Sequence, residues 1–522
     1  MSTVANPILP GCYPDPSICR VDDVYYLVSS TFEYFPGLPI HRSRDLVSWE
    51  PVGHGIHRPG QLDLTGVGAS RGLFAPTLRH HDGTFWLICT LVGSRQGSPG
   101  GHFYVTATDP AGPWSDPVWL DGEGIDPSLL FDDDGRVWVH ATRPARDPAW
   151  HDQTEVWLRE LDPRTGTLVG DEHVLWHGAL ENAVWAEGPH LFTVDGRYYL
   201  LAAEGGTDYH HAVVVARADA VTGPYVGSPA NPVLTHRHLG RGTDVVGVGH
   251  ADLVQAVDGS WWAVALGMRP YGGYHYNLGR ETFLVPVTWE DGWPVLAPGE
   301  GRVPTRVEVP FAGEPRPGLT QGTTSGPVGP DDVRWTSLRG PLTGLTTTPD
   351  EWHLGLSPMT LTEPGTPAFR GVRQQHTDVD LRVHLTVPLA DGTDEEAGLV
   401  IRQSEDDHVR LCVTSPTDRD GTRDVTVVHR HQGTDHVQGQ VTLTARPHDP
   451  LVLTISARGQ DYTLTAATDG GHEHVVATVD GRTLDSVTAG GFLGLWWGVY
   501  GTSNGRPTTT SLTVHNTEYL LP

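Results

Sequence analysis

The sequence predicts an all-β protein in two parts, a five-bladed β-propeller followed by a β-sandwich. Three observations carry that expectation. A short segment recurs five times along the first part of the chain, and each copy leads into a hairpin signature. Beyond a Pro-, Gly- and Thr-rich stretch the repeat stops, and runs of alternating apolar and polar residues take over. No long amphipathic helix and no membrane-spanning apolar run interrupts either pattern.

The repeat is clearest at Tyr13-Pro14-Asp15-Pro16-Ser17, ahead of the strand-like run Val24 to Ser29. Asp126-Pro127-Ser128 precedes Asp134-Gly135 and Arg136 to Val139, and Ala75-Pro76-Thr77 precedes Asp82-Gly83 and Phe85-Trp86. Glu187-Gly188-Pro189-His190 and His250-Ala251-Asp252 are looser copies, ahead of Asp195-Gly196 and Asp258-Gly259. In register the copies begin at Asp15, Ala75, Asp126, Glu187 and His250, so the spacing is 60, 51, 61 and 63 residues. Each copy reads as strand, tight turn and aromatic-rich strand, and a second hairpin follows it. Four strands per unit and five units predict the propeller.

In a propeller, equivalent positions at the start of each innermost strand converge on one end of the axis. Three of the five are carboxylates, Asp15, Asp126 and Glu187, and a fourth is His250. Unpaired buried charge is costly, so a purely structural axis would carry small or apolar residues. A single Asp-Pro is ordinary turn chemistry. Three acids in register are not, and they are the candidate catalytic groups.

Around them, Thr31 to Gly37 forms an aromatic loop in which Phe32 is a candidate sugar contact, its alternative being packing between blades. Phe74, one residue before a repeat start, is the stronger candidate platform. Arg280, in the loop Tyr271 to Glu281, is the candidate guanidinium, its alternative being a structural arginine. The histidines His210, His211, His236 and His238 show no metalloprotease spacing, and only His250 takes a repeat-start position.

The chain of 522 residues is long for one core, and the composition shift sets the boundaries. The expected division is 1–305 for the propeller, 306–329 for a linker and 330–522 for the sandwich. Runs such as Val379 to Val387, Val409 to Val413 and Tyr462 to Ala467 supply the sandwich strands. The apolar segment Phe492 to Trp497 either fills the sandwich or reaches the propeller; Phe492 and Trp496 are its candidates for closing a sugar pocket.

A net charge of −28 argues against nucleic acid and anionic membranes as partners. All 35 basic residues are arginine, which excludes Schiff-base lysine chemistry and the phosphate-binding P-loop. The four cysteines have neither zinc-site spacing nor disulfide density. Met1 to Pro10 lacks the features of a secretory signal, so the expected location is cytoplasmic. The sequence leaves monomer or homo-oligomer open.

Asn6 to Gly11 with Tyr13 to Ser17, then Ser30 to Glu33, Ala186 to His190, Ala203 to Thr207, Gly249 to Ala251 and Leu278 to Thr282 resemble glycoside hydrolase family 43, in its β-xylosidase and α-L-arabinofuranosidase branch. Arg373 to His376 and Ala397 to Val400 resemble the C-terminal, concanavalin A-like jelly-roll domain of that branch. The resemblance implies Asp15 as general base, Glu187 as general acid and Asp126 as the residue that tunes and orients the acid. It also implies Arg280 on the sugar hydroxyls and His250 beside a central calcium or water cluster. Branch members commonly have tryptophan where Phe74 stands, which bears on the choice of pentose.

The residue chemistry is consistent with this. Acetal hydrolysis needs one protonated and one ionised carboxyl in environments that separate their pKa values, and a nearby third charge, Asp126, would raise Glu187. No cofactor is required; a structural Ca2+ on the axis is what the resemblance adds. The leading expectation is an inverting, exo-acting enzyme releasing D-xylose from xylo-oligosaccharides, with arabinofuranose from arabinoxylo-oligosaccharides as a further product. An α-L-arabinofuranosidase with little xylosidase activity is the first alternative, separated by comparing the two sugars released. A non-catalytic carbohydrate-binding propeller is the second, and it would have no use for three acids at repeat starts.

Overall fold

The structure, a computed structural model, describes residues 2–93, 100–310, 325–389, 393–414, 421–446 and 448–522. The expected all-β class is observed. All ladders between strands are antiparallel, and the one α-helix among the described residues is the single turn Ser486–Ala489.

Five sheets follow one another along the chain, each begun by a repeat. The first pairs Ser17–Val21, Val24–Val28, Gly37–Ser43 and Glu50–Ile56 in that order. The third pairs Ile125–Phe131, Val137–Pro144, Thr154–Asp162 and Thr167–Trp176, and the fifth Val246–Gln255, Trp261–Met268, Glu281–Glu290 and Trp293–Leu296. The second begins at Thr77–His81 and the fourth at Glu187–Val194, and each carries one additional short strand. Asp82-Gly83, Asp195-Gly196 and Asp291-Gly292 have positive φ at both residues, the geometry that suits two-residue hairpins and that Asp-Gly tolerates.

The first strand of each sheet touches the first strand of the next, and that of the fifth touches that of the first. Packing follows the same cycle. Leu78, Leu87 and Phe103 pack against Val28 and Ile40, and Leu129 and Trp157 against Ile88 and Tyr104. Leu191 and Leu200 pack against Leu130 and Trp138, Val264 and Trp262 against Ile18 and Trp49, while Val213 and Leu253 share a further cluster. Apolar side chains thus fill the wedges between sheets, and the ring's centre is left to the starts of the first strands.

The stretch expected to link the domains is paired at both ends. Arg306–Val309 forms a ladder with Ser2–Ala5, and Gly326–Pro327 pairs with Glu518–Tyr519. Residues 311–324 of that stretch lie outside the described residues.

Among the described residues, the C-terminal part is two stacked sheets, one of eight strands and one of six. They enclose one apolar core that includes Leu381, Val383, Leu399, Leu411, Val427, Leu453, Ile455 and Trp497. Strand Trp496–Thr502 shows how the six-stranded sheet meets the ring. Trp497 and Val499 face the sandwich core, while Trp496 and Tyr500 face outward into a cluster with Phe32, Tyr34 and Cys12 of the ring. The period of two along a strand lets one segment serve both contacts, so the two alternatives for Phe492 to Trp497 are both realised.

Beneath that contact lies a buried charge network. Arg402 Nη1 donates to Glu33 Oε1 (3.0 Å), with neither side chain exposed, and Arg402 Nη2 donates to Glu405, which also pairs with Arg339. Removing one partner from such a pair leaves an uncompensated buried charge and costs about 3–5 kcal/mol.

Candidate active site

All five repeat starts line one cavity of about 100 Å³. Its walls are Asp15, Ala75, Asp126, Glu187 and His250, closed above by Phe32, Phe74, Arg280 and Phe492. Local backbone explains the convergence. Asp15, Asp126 and His250 have φ of 54°, 55° and 46°, and in the fourth sheet the left-handed position falls to Gly188, at 56°. The ladders slip at these points, between Ile125 and Ser128, Glu187 and His190, and Gly249 and Ala251. A bulge of this kind re-aims a side chain that would otherwise point into a sheet face. Aspartate tolerates the left-handed conformation better than most residues, and non-glycine examples cluster at functional sites. At Gly188 only glycine serves, because a Cβ would lie 2.7 Å from the His250 ring.

Asp15 is held on three sides. Arg280 Nη1 donates to its Oδ1 (2.7 Å), Ser30 Oγ to its Oδ2 (2.6 Å), and His250 Nδ1 stands 3.8 Å from Oδ1. Burial works against the charged carboxylate, but Arg280, then His250 and Ser30, outweigh it and hold the pKa below the ordinary value. Glu187 is pushed the other way. Burial first and the Asp15 charge second raise it to about 7, against smaller opposing effects of Arg280 and Thr207. Asp126 accepts from the Gly188 amide (3.1 Å), yet burial, then Glu187 and Asp15, raise it well above its usual range. The charge that lifts Glu187 is therefore that of Asp15. Asp126, expected to be the tuning charge, is itself pushed toward its neutral form.

The aromatic residues take the places proposed for Phe32, Phe74 and Phe492, but not for Trp496. Phe32 and Phe492 lie nearly parallel with centroids 6.2 Å apart, Phe74 meets both edge-on, and the Arg280 guanidinium lies 5.3 and 5.4 Å from the Phe32 and Phe492 centroids. Phe492 is 43 % exposed. Trp496 is 1 % exposed, stacks on Tyr34 at 3.8 Å and does not reach the cavity. The alternation that turns it to the ring also seals it in the interface.

The Phe492 loop sits on the ring by backbone contact. A Cβ at Gly494 would lie 2.5 Å from the Leu278 carbonyl, so glycine there permits the approach. The Phe492 amide donates to Ser70 Oγ (2.8 Å), and the Ser70 amide donates to Glu33 (3.1 Å). The position of Phe492 is thereby tied to the buried network at the interface.

Sequence reasoning gave no site role to Ile125, Thr207 or Ser30, although Thr207 and Ser30 fall within segments that carry the family resemblance. Ile125 precedes its repeat start as Phe74 precedes Ala75, so register was the available signal. On the far side of Phe492 and Arg280 a second cavity, about 340 Å³, is lined by Asp208, Arg241, Tyr274, Tyr276 and Val487 and shares Thr207 with the first.

His250 stands with Asp15, and among the described residues no group of three or more His, Cys, Asp or Glu side chains is placed to hold a metal. Calcium takes six to eight oxygen ligands. Of the buried axial carboxylates, Asp15 is taken by Arg280 and Ser30, and Asp252 is engaged through both oxygens by Arg79, Ser17 and the Ile18 amide. The axial residues do not fit the ion.

Comparisons with known proteins cover both parts of the chain. The sequence pattern described as glycosyl hydrolases family 43 matches residues 4–294, and that of a beta xylosidase C-terminal concanavalin A-like domain matches 331–519. A xylosidase/arabinosidase of Butyrivibrio fibrisolvens is 39 % identical over 96 % of this chain and 96 % of its own. A non-reducing end alpha-L-arabinofuranosidase of Bacteroides ovatus is 39 % identical over 97 % of this chain and 93 % of its own. The crystal structure of a xylan beta-1,4-xylosidase from Bacillus halodurans superposes with a TM-score of 0.91 at 31 % identity, covering 99 % of this chain and all of that one.

Proposed function

This chain belongs to glycosyl hydrolase family 43, and from that premise we propose that it is an inverting, exo-acting hydrolase that removes terminal D-xylose from β-1,4-xylo-oligosaccharides and also releases α-L-arabinofuranose. That it is a glycoside hydrolase with xylosidase activity, arabinofuranosidase activity or both follows from the family and its relatives. The observation that carries acid–base hydrolysis at this site is a pair of carboxyls on one cavity with opposed pKa shifts, Asp15 held ionised and Glu187 held protonated to about 7.

In this reading the five sheets are propeller blades within 1–305, 306–329 connects, and 330–522 is the sandwich that lends Phe492 to the pocket. Asp15 takes the proton of the attacking water, and Glu187 protonates the departing oxygen. Arg280 holds Asp15 in place and reaches the sugar hydroxyls. The small inner cavity suits one pentose, and the wider one beyond Phe492 suits the leaving group. An inverting enzyme keeps its two carboxyls about 6.5–9.5 Å apart to admit water.

Proton NMR of the first-formed sugar tests the mechanism. A β-xyloside should give α-xylose, and initial β-xylose would overturn inversion. Parallel assays on aryl β-xyloside and aryl α-L-arabinofuranoside test the substrate: release of both supports the reading, and arabinose alone would replace it with the arabinofuranosidase.

A further inference from the structure

Below the catalytic carboxyls, one layer further along the axis, a guanidinium occupies the centre of the ring. Arg79 comes from the second sheet. Its Nη1 donates to Asp252 Oδ2 (2.9 Å) in the fifth sheet and to Ser17 Oγ (3.2 Å) in the first. Its Nη2 donates to Asp252 Oδ1 (3.2 Å) and to His190 Nδ1 (3.2 Å) in the fourth, and that same nitrogen accepts from Ser128 Oγ (3.1 Å) in the third. Arg79 therefore bonds directly to three other sheets and reaches the third through His190, so that one cluster joins all five. Its partners lie two or three residues beyond repeat starts: Ser17 after Asp15, Ser128 after Asp126, His190 after Glu187, Asp252 after His250.

The charges balance within this layer. Asp252 is unexposed, and although burial acts to raise its pKa, Arg79 and its other donors bring it below the ordinary value. Burial lowers His190 to about 3, so the ring is neutral and its Nδ1 is free to accept. A fork of fixed N–H donors matches a carboxylate bidentately, which an ion without directional bonds does not. A divalent cation added here would meet a carboxylate already neutralised and would stand beside a like charge.

We propose that Arg79 is the built-in axial cation of this protein, holding in register the five strands that carry the site, in the place where a bound divalent ion would otherwise sit. It acts as a positioning residue, two layers of contact from the reacting atoms, and its function does not depend on which pentose is cleaved.

The test compares wild type, Arg79→Ala and Arg79→Lys by thermal melting and by turnover of an aryl glycoside, each after dialysis against EDTA and again with about 1 mM calcium chloride, a concentration that saturates all but weak calcium sites. Wild type should show the same melting midpoint and kcat/KM in both conditions. Arg79→Ala should melt at least about 5 °C lower and lose about tenfold in kcat, with KM little changed. Because the Arg79 side chain is 14 % exposed, its place can be reached from solvent, and guanidinium chloride at about 20 mM, far below denaturing concentrations, should restore part of the loss in Arg79→Ala and none in wild type. A wild-type enzyme that loses stability in EDTA and regains it with calcium would overturn the proposal, as would an Arg79→Ala protein as stable and active as wild type. If Arg79→Ala does not fold, wild type and Arg79→Lys decide: the lysine variant should remain indifferent to calcium, and stabilisation of either protein by the ion overturns the assignment. The melting arms stand even if the sugar specificity proves different.

Discussion

The ring and the sandwich are built from the same antiparallel strands, yet they use their centres in opposite ways. The sandwich encloses its apolar side chains between two sheets, so its middle is where stability resides. The ring distributes apolar packing among the wedges between neighbouring sheets. Its middle is thereby released from that duty and collects Asp15, Asp126, Glu187, His250, Arg79 and Asp252. Buried charges are tolerable there because each is paired or can be neutral, and the competition among them separates the pKa values that acid–base chemistry requires. The sandwich enters the chemistry only at its margin, through the loop that carries Phe492.

The largest effects should therefore come from the ring's centre. Glu187→Ala should lose about 10³-fold in kcat/KM on xylobiose, and far less on activated aryl glycosides, whose leaving groups need no proton. Asp15→Ala should lose a similar factor on both. Steady-state kinetics on the two substrate types checks this, and near-wild-type turnover of aryl glycosides by Asp15→Ala would reverse the assignment of the base. Glu187→Ala should not lower the melting point, since it removes a group whose burial is itself costly, whereas Asp15→Ala leaves the buried Arg280 guanidinium without its carboxylate and should lower it.

A pair of substitutions in the sandwich divides margin from core. Trp496→Ala removes a fully buried indole from the interface stack with Tyr34 and should cost about 3–5 kcal/mol of stability. The kcat/KM of the folded fraction should change little. Phe492→Ala removes a half-exposed ring, so its melting point should hold while kcat/KM on xylobiose falls about tenfold, the scale of one lost apolar contact in a pocket. Equal kinetic losses in both variants would mean that the interface, not the Phe492 side chain, shapes the pocket.

The same contrast governs what the sequence made legible. Register identified the five strand starts, because propeller geometry converts a position in a repeat into a position in space. It therefore found Asp15, Asp126, Glu187 and His250 without knowledge of any side-chain contact. It said nothing of Arg79, which lies four residues past the Ala75 start, outside any motif, and whose role comes from long-range pairing with Asp252. Trp496 and Phe492 lie four residues apart in one apolar segment, and composition could not say which faces the cavity. That depends on where the strand begins, at Trp496, and on the loop before it being free to turn. Direction of influence was hidden as well. Three acids were legible as a group, but only their burial and the Arg280 contact show that Asp15 stays charged and raises Glu187.

The smallest effect offers the finest test of that last point. The basic limb of kcat/KM reports the free enzyme's acid, so activity should fall as pH rises through about 7, where Glu187 loses its proton. On the acidic side activity should persist below the ordinary carboxylate range, because Asp15 stays ionised there. Thr207 Oγ1 donates to Glu187 Oε1 across 3.4 Å and so favours the ionised form slightly. Replacing that hydroxyl by a methyl group, Thr207→Val, removes this preference and should move the basic limb to higher pH. A long hydrogen bond worth about 0.5 kcal/mol corresponds to roughly a third of a pH unit. Thr207 also lines the cavity, so kcat/KM can change in magnitude, but only loss of its bond to Glu187 shifts the limb upward. A limb that stays in place, or moves down, would mean that the hydroxyl does not act on Glu187 and that the acid's pKa is set by burial and Asp15 alone.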